Sequence, residues 1–264
     1  MHCHDRIMTV VKNLLEKLFT EMSMPESHGL NHCLTVLEHM NTCIRSADQK
    51  LEKLLTAEKV LSLRLAALLH EADDHKYFPS SEKFDNARNI CEEAIPDDLA
   101  GKESLISDVV LMISLVSASV NGNSVPEAAR VDPTLLWPRY CDRLESIGVI
   151  GAVRCYQYNT ENGDPLMLDT TPRPRSDSEV WAEVREERWS RYQSGAGSSS
   201  MMDHYYDKLL HVGKIEPEVV QCDYLVSEAS RRVQPLVDIC VEAGLSGEAP
   251  VESLKKLEKS LKQN

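Results

Sequence analysis

The sequence predicts an all-α fold, and three observations carry that prediction. Leu, Ala, Glu and Lys dominate over alternating Val, Thr and Tyr, and aromatic residues make up only 5% of the chain. Apolar residues recur at helical spacing in one segment after another. No convincing strand run and no internal repeat interrupts them.

The first helix is expected from about Asp5 to Glu21, where Ile7, Val10, Val11, Leu14, Leu15 and Leu18 form one stripe. Met24-Pro25-Glu26-Ser27 then breaks the pattern. A second helix should run from about Leu30 to Ala47 and a third from Thr56 to Glu71. The third is apolar nearly all round, so it should be central and buried. Next come a polar turn, a helix over about Ser81 to Ala94, and a long helix from Leu99 to Ser119. A further helix is expected from Pro133 to Ile147, continuing towards Tyr156.

Between Asn159 and Met201 the composition changes. Asn162-Gly163-Asp164-Pro165, Pro172, Pro174 and the run Ser194 to Ser200 are loop chemistry around a short helix at Ser178 to Arg191. Helices resume at Met202 to Val212 and Pro217 to Ala243, and a Lys-rich amphipathic tail runs from Glu252 to Asn264. We expect one helical domain over 1–264, with its core at about 26–158, a loop-rich insertion at 159–201 and C-terminal helices at 202–264.

Composition narrows the function classes. With 264 residues, 42% hydrophobic and 27% charged, the chain reads as ordered and soluble. Its longest uncharged apolar stretch, Val109 to Val120, falls short of the roughly 20 residues that span a bilayer, so no membrane partner is expected. The N-terminus shows no secretory signal. A net charge of −13 argues against nucleic acid as a partner, because phosphate neutralisation needs a basic surface. It allows a small phosphorylated substrate, since a bound metal brings its own positive charge. Eight cysteines without a CxxC pair, several of them (Cys33, Cys43, Cys155) within apolar helical patterns, fit a reducing, cytoplasmic compartment. His2-Cys3-His4 reads as a frayed terminus in preference to a metal site. The oligomeric state stays open.

Three segments place metal-binding side chains where an apolar helix should be uninterrupted: Ser27 to Val36, Leu65 to Tyr77, and Tyr140 to Gly148. Singly, His32 on an apolar face reads first as a core histidine, and Asp142 as a helix-surface residue or an arginine partner. His70 and Glu71, at the end of the apolar helix, must be paired, hydrated or bound to something. As a set, two imidazoles and two carboxylates from three helices can surround a divalent cation. Such ligands suit Mn, Fe, Co, Ni or Zn, and Mg if water fills the remaining positions. Open positions would let the ion acidify a bound water and polarise a phosphoryl oxygen.

Four blocks occur in order over about Glu26 to Leu210: SHGLNHCLTV (27–36), LAALLHEADDHKY (65–77), CDRLESIGVIGAVR (141–154) and HYYDKLL (204–210). Together they resemble the HD-domain metal-dependent phosphohydrolases. The finer likeness is to the bacterial branch containing nucleotide pyrophosphohydrolases, whose members carry patterns like AHDxxHxxRV, LAALLHDxxDxKY, DADRLDAIGAIGxxR and HFYEKLL. The resemblance implies a helical bundle with a divalent metal held by His32, His70, Glu71 and Asp142, Glu71 standing in place of an aspartate. By the same resemblance Asp74 orients or deprotonates the attacking water, Lys76 holds a phosphate oxygen, and His28 contacts substrate. Arg143 and Arg154 become phosphate-binding or supporting groups, each also readable as a plain ion pair. His204 and Lys208, one helical turn apart, are expected to face the cleft. Thr35 and Cys141 depart from the pattern, replacing an arginine and an acid.

The implied activity is hydrolysis of a phosphate or phosphoanhydride bond in a nucleotide or similar small metabolite, with nucleoside triphosphate to monophosphate plus pyrophosphate favoured. A phosphomonoesterase, a catalytically silent binding protein and a di-iron oxygenase are the alternatives. The 159–201 segment, with Arg173 and Arg175, reads as either a lid or a plain insertion.

Overall fold

The computed structural model describes residues 3–25 and 28–261. Every regular element among them is helical, as expected from the sequence. The chain divides into two compact units. One comprises Met1–Ser117, Ser124–Asp142 and Pro217–Tyr224; the other comprises Ala118–Asn123, Arg143–Glu216 and Leu225–Asn264.

In the first unit α1 (Cys3–Glu21) buries Ile7, Val11, Leu15 and Phe19, which recur every fourth residue along one face. Cys3 and His4 open this helix; His2 lies outside the described residues. α2 (Leu30–Arg45) buries Cys33, Val36, Met40 and Cys43. The short α3 (Gln49–Glu52) is started by Asp48, whose carboxylate accepts from the amides of Lys50 and Leu51. Thr56 caps α4 (Ala57–Leu69) in the same way, accepting from the Lys59 amide at 3.2 Å. From Leu61 to Leu69 every residue of α4 except Arg64 is buried, and the helix packs on α1, α2 and α6 (Lys102–Ser114). It is the centre of this unit.

α5 (Asp85–Ala94) starts later than its sequence pattern suggests. Lys83 and Phe84 take left-handed backbone angles, and the Asp73 carboxylate accepts from the amides of Asn86 and Ala87 at 2.9 Å each. The expected helix over Leu99 to Ser119 is α6 followed, in the second unit, by the separate α7 (Ala118–Asn121). α8 (Glu127–Val131) and a 3₁₀ turn at Pro133–Leu136 lead into α9 (Trp137–Ser146). Trp137 is fully buried, and its indole nitrogen donates to the carbonyl of Val220 at 3.0 Å.

Three more helices expected to be continuous are broken. The one running from Pro133 towards Tyr156 stops at Ser146 and restarts as α10 (Gly148–Asn162), because Gly148 adopts φ +78°. The one over Ser178 to Arg191 is split into α11 (Asp177–Glu183) and α12 (Glu186–Arg191) by non-helical angles at Val184 and Arg185. Past α12, α13 (Met201–His204) and α14 (Leu210–Gly213) are joined through a π-helical turn at Tyr205–Leu209. The third, Pro217 to Ala243, is α15 (Pro217–Val220) and α16 (Asp223–Ser246), separated by a positive φ at Gln221. α17 (Val251–Leu261) packs on α10, and Gln157 donates to Glu258 at 2.9 Å. The last three residues of the expected tail lie outside the described residues.

In the second unit Arg188 of α12 donates to Asp203 at 2.8 Å and to the fully buried Asp207 at 2.7 Å. Gly244 of α16 lies so close to Pro174 that a β-carbon there would overlap the proline carbonyl. Since backbone cannot step aside as a flexible side chain can, Gly244→Ala should cost about 3 kcal/mol. Chemical denaturation with an unchanged m-value is the measurement. A loss below about 0.5 kcal/mol would show that the 174 loop yields freely.

Among the described residues no helix is long and apolar enough to cross a membrane. All eight cysteines are free thiols.

Candidate metal centre

Four side chains, from α2, α9 and the end of α4 with the turn after it, meet at one point. α4 does not continue through Glu71 as its sequence suggests. It ends at Leu69, His70 is its C-cap, and Glu71 falls in the following turn. His70 is almost wholly buried and donates from Nδ1 to the carbonyl of Ala67 at 2.9 Å. A carbonyl can only accept, so this bond fixes the proton on Nδ1 and turns the Nε2 lone pair into the cluster. His32, the third residue of α2, brings its Nε2 to 3.1 Å from that of His70. Asp142 of α9 places Oδ1 at 3.2 Å from His32 and 3.5 Å from His70. Glu71 Oε1 lies 3.5 Å from His32 and 3.7 Å from His70.

One ligand atom from each of the four lies within 4.8 Å of all the others. Nitrogen and oxygen ligands bound at about 2.1 Å to one tetrahedral ion stand about 3.4 Å apart, so the set fits a single divalent cation. A second observation agrees: Glu71 Oε2 is buried and has no hydrogen-bond partner among the described residues. A carboxylate oxygen left in that state is costly unless something binds there. The donor set, two imidazoles and two carboxylates, matches intermediate and harder divalent ions and leaves the metal's identity open.

The electrostatics show how strongly the four groups depend on one another. Burial works against a charged His32, but hydrogen bonds to Asp142 and Glu71 outweigh it and lift the imidazole to about 9. His70 is likewise raised, against its own burial, by Asp142 and then Glu71. Burial would raise Glu71, yet His28 and His32 hold it down to about 2. Asp142 falls far below the usual carboxylate range, its two histidine partners overcoming desolvation.

No family model matches the chain. Uncharacterized protein L803 of Acanthamoeba polyphaga mimivirus is 34% identical to it over 223 residues, covering 81% of this chain and 87% of the viral protein. The chain belongs to the family of that protein. Among solved structures, a structural-genomics protein from Lactobacillus plantarum matches it with a TM-score of 0.52 over 98% of each chain. At 15% identity that likeness is one of fold.

The remaining sequence-derived candidates of this family member separate into two groups. Three belong to the first unit. His28, just before α2, donates from Nδ1 to Glu71 Oε1 at 2.9 Å. Asp74 is half-buried on the turn after Glu71, and its carboxylate accepts from the Lys76 amide at 2.8 Å. Lys76 is exposed, with its ammonium 5.1 Å from the centre of the Tyr77 ring. The other four belong to the second unit. Arg143 is buried and donates to Asn123 Oδ1 at 2.8 Å and to the Gly122 carbonyl at 2.5 Å. Arg154 is half-buried on α10. His204 pairs through Nδ1 with Ser198 at 3.2 Å, and burial together with Lys208 pushes it down to about 4. Lys208 lies 5.6 Å over the ring of Tyr192.

Tyr77 is the residue of this region to which sequence reasoning gave no role. Its ring packs against His28 with centroids 5.3 Å apart. An aromatic six residues beyond Glu71 carries no helical or strand period that would have marked it.

Proposed function

We propose that the chain is an HD-type, metal-dependent phosphohydrolase acting on a nucleotide or a similar small phosphorylated metabolite. The observation that carries this reading is the convergence of His32, His70, Glu71 and Asp142 within 4.8 Å. The histidines would hold a divalent ion through Nε2 and the carboxylates through one oxygen each. When bound, such an ion supplies Lewis acidity to a phosphoryl oxygen and to a water molecule.

The chain's own residues do the rest. Asp74, close behind Glu71 in sequence and half-buried, accepts the proton of the attacking water. Lys76, exposed on the same turn, neutralises a phosphate oxygen. The favoured reaction is attack at the α-phosphorus of a nucleoside triphosphate, releasing monophosphate and pyrophosphate. Nucleic acid and membranes are not expected partners of so acidic a chain, and eight free thiols suit a reducing cytoplasm.

The test is a release screen for phosphate and pyrophosphate over nucleotides and phosphorylated metabolites, with Mn, Mg, Co and Ni supplied in turn. Metal-dependent pyrophosphate from a triphosphate is the expected result, with chromatography identifying the monophosphate. Orthophosphate from a monophosphate would shift the assignment to a phosphomonoesterase. A protein that binds ion and nucleotide yet turns over nothing with any metal would be a silent binding member.

A further inference from the structure

A group outside the cluster selects which oxygen of Glu71 faces it. Glu71 Oε1 is 2.9 Å from His28 Nδ1, closer than to either His32 at 3.5 Å or His70 at 3.7 Å. Its other oxygen is buried without a partner among the described residues. A glutamate has three side-chain torsions, so an unanchored carboxylate can turn its oxygens or withdraw, and holding it costs entropy. His28 supplies the hold, and it is itself held. Its ring packs at 5.3 Å on Tyr77, tilted by 48°, and edge-on at 6.1 Å against His32.

We propose that Tyr77 and His28 form a strut that keeps Glu71 Oε1 turned towards His32 and His70. His28 is then a positioning residue of the metal centre and not a phosphate contact, which leaves phosphate to Lys76. This rests on reading the four-residue cluster as a metal site. It follows that Glu71 needs the donor on His28, and that the ring serves to seat that donor against Tyr77. Groups that orient a ligand's free atoms typically change metal affinity about tenfold or more when removed.

The experiment measures Mn²⁺ affinity of the full chain by calorimetry, with no turnover involved. His28→Leu deletes the donor, whereas His28→Asn offers an amide N–H close to where Nδ1 stood. Tyr77→Leu keeps His28 and removes its brace. His28 and Tyr77 are both partly exposed, so the fold should survive, and circular dichroism checks that it does. We expect His28→Leu to weaken binding about tenfold and Tyr77→Leu about threefold, with His28→Asn close to the unsubstituted chain. Unchanged affinity in His28→Leu overturns the strut, as does an Asn variant that falls as far as Leu. Should His28→Leu not fold, Tyr77→Leu decides alone: affinity equal to that of the unsubstituted chain overturns the proposal. An unsubstituted chain that binds no Mn²⁺ removes the metal reading itself, a different failure from a strut that does nothing.

Discussion

If the cluster holds a divalent ion as proposed, replacing His70 with alanine should abolish metal binding and any hydrolysis at once. The side chain is buried, anchored to the Ala67 carbonyl and within 3.7 Å of the three other members of the cluster, so no neighbour can substitute for it. Elemental analysis should fall from about one ion per chain to a background level. Stability should fall too. A ligand at a hundredfold excess over its Kd adds about 2.7 kcal/mol to the folded state, and the variant forfeits that as well as the packing of the ring. The melting temperature should drop by about 5–10 °C, and adding Mn²⁺ should no longer raise it. Treating the unsubstituted protein with a chelator should reproduce the metal-dependent part of that drop and leave the alanine variant unmoved. A His70→Ala protein that still purifies with a full complement of metal would end the assignment of this cluster.

The second large effect concerns the two carboxylates. Glu71→Gln and Asp142→Asn keep size and shape and each remove one negative charge from the same point, and a neutral amide is a much poorer ligand for a divalent cation. Both should lose most of the metal and at least about a hundredfold in turnover, roughly 2.7 kcal/mol of transition-state stabilisation. Glu71→Asp keeps the charge on a shorter stem and should retain measurable metal and activity. Asymmetry would be informative. If Asp142→Asn destroys binding while Glu71→Gln leaves metal and turnover intact, the ion is held by His32, His70 and Asp142 alone. Glu71 would then serve as the acceptor for His28 and nothing more.

Much of this was legible in the sequence, for reasons that can be named. α1, α2 and α4 announce themselves by their apolar residues at helical spacing, and α4 begins where expected because Thr56 caps it. The cluster was legible because imidazoles and carboxylates interrupt helices that otherwise bury only hydrocarbon. The breaks were not. Gly148 turns left-handed where a β-carbon would lie 3.1 Å from the Arg232 carbonyl, and that crowding comes from a residue far along the chain. Gln221 and the Val184–Arg185 kink likewise follow no local signal in composition. Periodicity likewise encodes neither the end of α4 at Leu69 nor the Asp73 carboxylate that meets the first turn of α5. His28 and Glu71 were each singled out from sequence, but their pairing was not, because the two are 43 residues apart and meet only once α2 and α4 are packed.

The places where α2 and α4 stop have a consequence of their own. His70 closes α4 at its carboxyl end, where the aligned peptide dipoles leave about half a negative charge, and His32 lies in the first turn of α2, where they leave about half a positive one. The ring nitrogens carried by these two helix ends are 3.1 Å apart. The backbone field there has a direction before any side chain is counted. It draws a cation towards the end of α4 and an anion towards the amides that open α2. On the reading proposed above, the end of α4 would add to the pull of Glu71 and Asp142 on a divalent ion, an attraction that no side-chain substitution removes.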